Sequence, residues 1–352
     1  MQRYFWIAIL SLLTLPATAG TRVPLHNNGK PAPASDLNPD WCAKAISYSR
    51  AHGGNAVRIE QYGQVVAEDY APGFSADTPE KIYSGTKSFF AVEAMILEQK
   101  GVLRLDEKAS DTLTEWKGDA RKSITIDQLL SQTSGLSPKG ERIYAARDQL
   151  AAAVRQPLVD PPGTRFHYGA AGYQAFGEIL RRKFAARGKS VETVMTETLL
   201  EPYDLEVAFW KRDDAGNVLI HAGMQMTAEE WAKFGNLLTS AAPGPDALGF
   251  AEMFRGHTAN PAYGLGFWLN APQPRRLRQP MKDLLVASDG DQLYPGGPAD
   301  LITAMGTGKQ RLYVIPSRHL VVVRFAHSAP FSDGDFLSRL LTGKPKPDAH
   351  TH

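Results

Sequence analysis

The sequence predicts an α+β fold: an antiparallel sheet built from both chain ends, flanked by helices, with a mostly helical lobe inserted between its halves. Three observations carry this reading. NAVRIEQYGQVVAEDY (55–70) reads as two strands around a tight turn, and RLYVIPSRHLVVVRFA (311–326) repeats that texture near the other end. The stretch between them is dominated by helical patterns. At 352 residues, 43% hydrophobic and 22% charged, the chain is ordinary globular material, long enough to bury a large core.

The elements follow in order. MQRYFWIAILSLLTLPATAG (1–20) has a cation at Arg3, an uncharged run from Tyr4 to Leu15 and the small-residue pattern Ala17-Thr18-Ala19. That pattern predicts a secretory signal, residues 1–19, and a periplasmic or secreted protein. The apolar run is short for a membrane span, and no cysteine follows it to take a lipid, so no membrane anchor is expected. Residues 20–37, rich in Pro, Asn and Gly, read as a strap ahead of a single domain, 38–342. A helix is expected from Pro39 to His52. It carries Cys42, the only cysteine, which excludes an internal disulfide and is expected to pack as a small apolar residue.

The first hairpin turns near Gly63. Helices are expected at Ser88–Lys100, closed by Gly101; at Ala170–Ala186, closed near Gly188; and at Ala228–Leu238, opened by a capping box of Thr227 and Glu230. The helical lobe spans about 102–260. AYGLGFWLN (262–270) reads as another strand, the second hairpin turns at Pro316-Ser317, and the polar tail 343–352 is expected to fray.

The formal charge of +2 and the lack of a basic run with interleaved aromatics argue against a nucleic-acid partner. H-E-x-x-H, G-x-x-x-x-G-K-[ST], paired C-x-x-C and G-x-S-x-G do not occur. No metal or cofactor is therefore expected. YSGTKSFF (83–90) is the segment that suggests chemistry. Ser84 and Lys87, three apart, share one face of the first turn of a helix whose next residues are apolar almost all round. Burial and the helix N-terminus both disfavour a charged amine there, pushing Lys87 toward a form that can take a serine proton. Alone, S-x-x-K is expected about once by chance in a chain of this length, and a capping serine beside a solvated lysine is then the better explanation.

Two further segments change the balance. LLSQTSGL (129–136) and DPPGTRFHYGAAGYQAFGEIL (160–180) follow in order. With S-x-x-K they resemble the serine β-lactamase-like superfamily, which includes class C β-lactamases, penicillin-binding D-alanyl peptidases and related esterases. The resemblance covers nearly the whole chain after the leader. It implies that Ser84 is acylated, that Lys87 is its proton partner and that Tyr168 is the proton-relaying tyrosine of the second motif. Two departures stand out. Where the second motif is usually Y-x-N, this chain has Tyr168-Gly169-Ala170, without the amide that would bind the lysine and a substrate carbonyl. The third motif, usually K-T-G or H-x-G, finds its best candidate in Gly306-Thr307-Gly308, expected to bind substrate, with Lys309 as a substitute cation.

The resemblance implies an exported, carboxylesterase-like serine hydrolase that acts through an acyl-enzyme on a small-molecule ester or amide. Its rivals are a β-lactamase or D-alanyl peptidase working on the cell wall, and a non-catalytic binding protein on the same fold.

Overall fold

A computed structural model of the chain describes residues 32–138, 141–239, 250–274, 292–327 and 330–346. The leader expected at 1–19, most of the strap and the end of the tail lie outside the described residues. Helix α1 (Pro39–Ala51) starts with Asn38 accepting from the Asp40 N–H and proline at the first helical position. Strands β1 (Gly54–Gln61) and β2 (Gln64–Tyr70) form the first hairpin. Its two-residue turn, Tyr62-Gly63, has φ of +53° and +71°, the left-handed pair that matches strand twist. At the other end, β8 (Gln310–Ile315) and β9 (Leu320–Ala326) form the second hairpin. β1 pairs antiparallel with β9, so both chain ends meet in one six-stranded sheet of order β2-β1-β9-β8-β7-β6, with β6 at Trp268–Leu269 and β7 at Ile302–Gly306. Every residue of β1 and β9 is buried, as central strands covered on both faces should be, whereas edge strand β2 is partly exposed.

Helix α2 (Thr86–Gln99) begins two residues earlier than the sequence suggests and is buried on all sides from Thr86 to Leu97. It is followed by α3 (Ile126–Leu130), α4 (Glu141–Tyr144), α5 (Gln149–Val154), α6 (Ala171–Ala185), α7 (Val191–Met195) and α8 (Ala228–Asn236). Helix α8 packs between α2 and the sheet. Its Phe234 ring stacks on Phe89 with centroids 3.7 Å apart, and Gly235 permits the approach, because a Cβ there would lie 2.6 Å from Val321. The Thr227 cap accepts from the Glu230 N–H, but only half of the expected box forms. The Glu230 carboxylate instead accepts from the Glu206 N–H and pairs with Lys233. A C-terminal helix (Asp333–Thr342) and α1 cover the other face of the sheet, where Cys42 is buried as expected.

Two elements differ from expectation. Of the stretch 262–270 only Trp268 and Leu269 pair as strand, because Gly266 bends the chain at φ +72° to bring its carbonyl onto Ser88. A small second sheet, β3-β5-β4, joins Glu80–Lys81, Met224–Met226 and Phe209–Trp210, whose strands are too short to leave a periodic signal. Among the described residues, no helix is long and apolar enough to cross a membrane.

Candidate active site

Strand β3 leads into a tight turn, Tyr83–Gly85, that runs directly into α2. Tyr83 holds φ at +46°, a left-handed conformation that costs a non-glycine residue about 1–2 kcal/mol and is retained only where packing enforces it. The packing is visible. Ile82 N–H donates to the Met224 carbonyl at 3.1 Å, the Met224 N–H donates to Thr86 Oγ1 at 3.1 Å, and Gly85 sits where a Cβ would lie 2.7 Å from the Trp231 ring. Ser84 is thereby left partly exposed at the mouth of a buried helix.

Lys87 is 2% exposed. Its Nζ lies 3.1 Å from Ser84 Oγ and donates to the main-chain carbonyl of His221 at 2.8 Å. The rings of Tyr168 and Tyr173 stand 4.9 and 5.7 Å from it. No carboxylate forms an ion pair with it among the described residues, so burial alone acts on the amine and lowers it to about 7. The contact with His221 answers the departure at Ala170. The amide usual at that position is absent, and Ala170 is itself buried, but a peptide carbonyl from another part of the chain takes the lysine's second bond. The peptide between Leu219 and Ile220, just ahead of it, is bonded on both sides. Gln174 Oε1 accepts from the Ile220 N–H at 3.2 Å, and Trp210 Nε1 donates to the Leu219 carbonyl at 3.2 Å.

Tyr168 precedes α6 and is positioned by LLSQTSGL. Gln132, at φ +63°, accepts from the Gly169 N–H at 3.1 Å and donates to the Gly169 carbonyl at 3.2 Å, while its own carbonyl accepts from the His167 N–H at 2.8 Å. Both neighbours of Tyr168 are thus clamped by one residue. Gly135 accepts from Val159 and Asp160, and its φ of +74° with a Cβ position only 2.0 Å from the Asp160 carbonyl admits no side chain. Gly172 likewise lets α6 touch the Leu129 carbonyl of α3. Ser134 is buried in this scaffold, its Oγ accepting from the Leu136 N–H. Behind Tyr168 stands an aromatic wall of Tyr263, at 5.8 Å, and Trp268, at 5.5 Å. Protein packed around the phenol raises its pKa well above the usual value, and hydrogen bonding to Ser84 offsets part of that rise. Lys87 is pushed down and Tyr168 up, so at neutral pH the phenol keeps its proton while the amine is poised to take one.

The third segment reaches the same place. Gly306, the last residue of β7, lies so close to the chain entering the Tyr83–Gly85 turn that a Cβ would sit 2.2 Å from the Ile82 carbonyl. Thr307 and Gly308 line a cavity together with Tyr83. Lys309 does not line it, and its charge acts on Asp333, which is buried in an ion pair with Arg311. The structure therefore brings Ser84, Lys87, Tyr168 and the Gly306-Thr307-Gly308 segment together. The His221 carbonyl, Gln132, Gln174 and the aromatic wall are additions that motif spacing does not reveal. Among the described residues no three His, Cys, Asp or Glu side chains converge on a point that could hold a metal ion.

A sheet formed from both chain ends, a buried helix opening with serine and lysine, and a tyrosine on the facing lobe define the β-lactamase/transpeptidase-like fold. The chain belongs to the Beta-lactamase family, whose model matches residues 42–342. It is similar to monacolin J acid methylbutanoyltransferase of Aspergillus terreus, with 22% identity over 246 residues, covering 61% of this chain and 57% of that enzyme. The chain spans about half the length of the curated relatives it matches. Among solved structures it resembles the D-alanine carboxypeptidase AmpC from Burkholderia cenocepacia, with a TM-score of 0.63, 17% identity and coverage of 88% of this chain and 99% of that one. It also resembles EstCE1, a hydrolase with promiscuous acyltransferase activity, with a TM-score of 0.59, 17% identity and coverage of 85% and 95%.

Proposed function

We propose that this chain is an exported serine hydrolase that cleaves small carboxylic esters through an acyl-enzyme. The observation that carries the proposal is Lys87: a buried amine without a carboxylate partner among the described residues, lowered to about 7, and 3.1 Å from the Ser84 hydroxyl. A serine hydroxyl becomes a nucleophile when an adjacent base takes its proton. Ser84 Oγ bonds to the acyl carbon as its proton passes to Lys87 Nζ. Charge on the carbonyl oxygen is met by the Ser84 N–H and a backbone donor from Thr307–Gly308. Collapse breaks the bond to the leaving oxygen, which receives the proton through Tyr168. Water then attacks the acyl carbon, gives its proton to the same pair, and releases the acid and Ser84.

Esters are favoured over β-lactams and D-alanyl peptides by the residues at the two departures. Ala170 has no amide to engage a substrate carbonyl, and Gly306 stands at the motif position where a cation would meet a substrate carboxylate. Each such contact to a charged group is worth about 1.5–3 kcal/mol. Export rests on the leader pattern at residues 1–19. Labelling the purified protein with a fluorophosphonate and locating the adduct by mass spectrometry tests the proposal. An adduct on Ser84 is expected, and its absence, with no turnover of aryl esters, would overturn it. A second reading is acyl transfer to an alcohol in place of water. It is favoured by the similarity to a methylbutanoyltransferase, and alcohol-dependent formation of a new ester from the acyl-enzyme would distinguish it.

A further inference from the structure

Arg311 and Arg324 stand opposite each other across the β8–β9 pairing, and both are sealed from solvent. They lie on the face of the sheet covered by α1 and the C-terminal helix, away from α2. Like charges directly opposite on one face of a sheet repel, and a buried charge needs compensation. Asp333 supplies it to one of them, accepting from Arg311 Nε at 2.6 Å and Nη2 at 3.2 Å, and from the Tyr313 hydroxyl at 2.5 Å. Arg324 donates to neutral acceptors, through Nε to Ser49 Oγ at 2.8 Å and through Nη2 to the His52 carbonyl at 2.7 Å. Its guanidinium also lies 3.7 Å from the centre of the Phe331 ring. Burial lowers the Arg324 pKa to about 10, so its charge is held against a desolvation cost that an apolar residue would avoid.

The other donors of both arginines converge on one turn. Arg324 Nη1 donates to the Lys309 carbonyl at 2.9 Å. Arg311 Nη1 donates to the Gln310 carbonyl at 3.0 Å and reaches the Gly306 carbonyl at 3.5 Å. These carbonyls flank Thr307 and Gly308 on both sides. The turn requires such support, because Gly308 and Lys309 hold φ at +80° and +67°. A lysine keeps that left-handed conformation only where its surroundings enforce it. Gln310 adds a further tie, with its amide bonded to the Ala326 N–H at 3.0 Å and the Ala326 carbonyl at 2.5 Å. The charge of Arg311 also acts on Tyr168, so the cluster lies within electrostatic range of the site.

We propose that Arg311 and Arg324 are positioning residues of the active site, which fix the main chain of Thr307 and Gly308 from behind the sheet. The proposal rests on the hydrolase reading, in which that segment supplies a backbone donor to the oxyanion. A donor held in place before reaction stabilises developing charge without reorganising. The arginines thus serve the transition state through the turn they hold, without touching substrate.

The test uses Arg324→Met and the milder Arg324→Lys and Arg311→Lys, with the amount of enzyme set by fluorophosphonate-labelled Ser84 so that unfolded protein is not counted. For nitrophenyl butyrate, kcat in Arg324→Met should fall by about tenfold to a hundredfold with KM within about twofold of wild type. A lysine can replace only some of the bonds of an arginine, so both lysine variants should show the same split at about threefold to tenfold. Inhibition by phenylboronic acid, a tetrahedral mimic, should weaken by the factor lost in kcat/KM. Wild-type kcat in the lysine variants, or a loss of kcat with unchanged boronate inhibition, overturns the proposal, whether or not Arg324→Met folds. If wild type shows no Ser84-dependent turnover, the hydrolase reading fails instead, and the clamp is judged by amide hydrogen exchange. The amides of residues 307–310 should then exchange about tenfold or more faster in Arg324→Lys, with those of α6 at the wild-type rate. Equal acceleration in both places, or none at the turn, overturns the clamp.

Discussion

Replacing Lys87 with methionine removes a buried amine while keeping the length and most of the volume of the side chain. The wild-type amine is lowered from 10.5 to about 7 by burial alone. Between those values the unfolded chain binds more protons than the folded one, so the native state gains stability as pH rises from about 7 to 10.5 and has lost it fully below 7. The depression corresponds to about 5 kcal/mol at pH 6 and about 2 kcal/mol at pH 9. Methionine also leaves the His221 carbonyl without its donor, which costs about 1–3 kcal/mol at every pH. The Lys87→Met protein should therefore be more stable than wild type at pH 6 by a few kcal/mol. That advantage should shrink by about 3 kcal/mol at pH 9. Urea unfolding of both proteins at the two pH values measures it, since other titrating groups act equally on each. A stability difference that stays constant from pH 6 to pH 9 would refute the claim that Lys87 is forced toward neutrality by the fold.

Four further outcomes are expected. Ser84→Ala should abolish fluorophosphonate labelling and ester turnover with an unchanged circular dichroism spectrum; an adduct found on Ser134 would move the nucleophile. Tyr168→Phe keeps the ring in its aromatic wall and removes only the hydroxyl, so turnover should fall by about a hundredfold to ten-thousandfold. Near wild-type kcat on several esters would make that tyrosine structural. Gln132→Ala releases both backbone bonds to Gly169 and should lower kcat by about tenfold or more with little change in KM, because it disturbs the relay and not substrate contacts. In a side-by-side measurement, kcat/KM for nitrophenyl butyrate should exceed that for a chromogenic cephalosporin, and the reverse order would restore the β-lactamase reading.

The parts of this molecule that were legible in the sequence are those that repeat a local rule over several residues. The two hairpins alternate or run apolar and are punctuated by Gly63 and Pro316; α2 is apolar on every side and stops at Gly101, which adopts φ +64°. Those features fixed a sheet made from both ends and a buried helix at its centre. The small β3-β5-β4 sheet was not legible, because two or three residues per strand leave no pattern. The short strand at Trp268 was overestimated for the opposite reason. Its flanks are apolar for packing, with Tyr263 and Trp268 rings 4.9 Å apart, and not for pairing.

At the site, legibility divides along side chain and main chain. The roles proposed for Ser84, Lys87 and Tyr168 belong to side chains, so their identities and order stand as a readable motif. The group that completes Lys87 is a peptide carbonyl, and any residue at position 221 would supply it. Judged by side chains, Ala170 reads as a lost function. In the folded chain the lysine's second bond has changed carrier, and the signal has moved to the residues that bond the 219–220 peptide ahead of that carbonyl, Gln174 and Trp210. The exchange has a chemical consequence. An asparagine side chain offers a donor as well as an acceptor and can reach both lysine and substrate, whereas a carbonyl held by its neighbours offers only an acceptor. The lysine is therefore served equally well, and the substrate loses a donor. On the proposed reading, one substitution thus preserves the proton chemistry of Ser84 and predicts that recognition is shifted away from amide-bearing substrates.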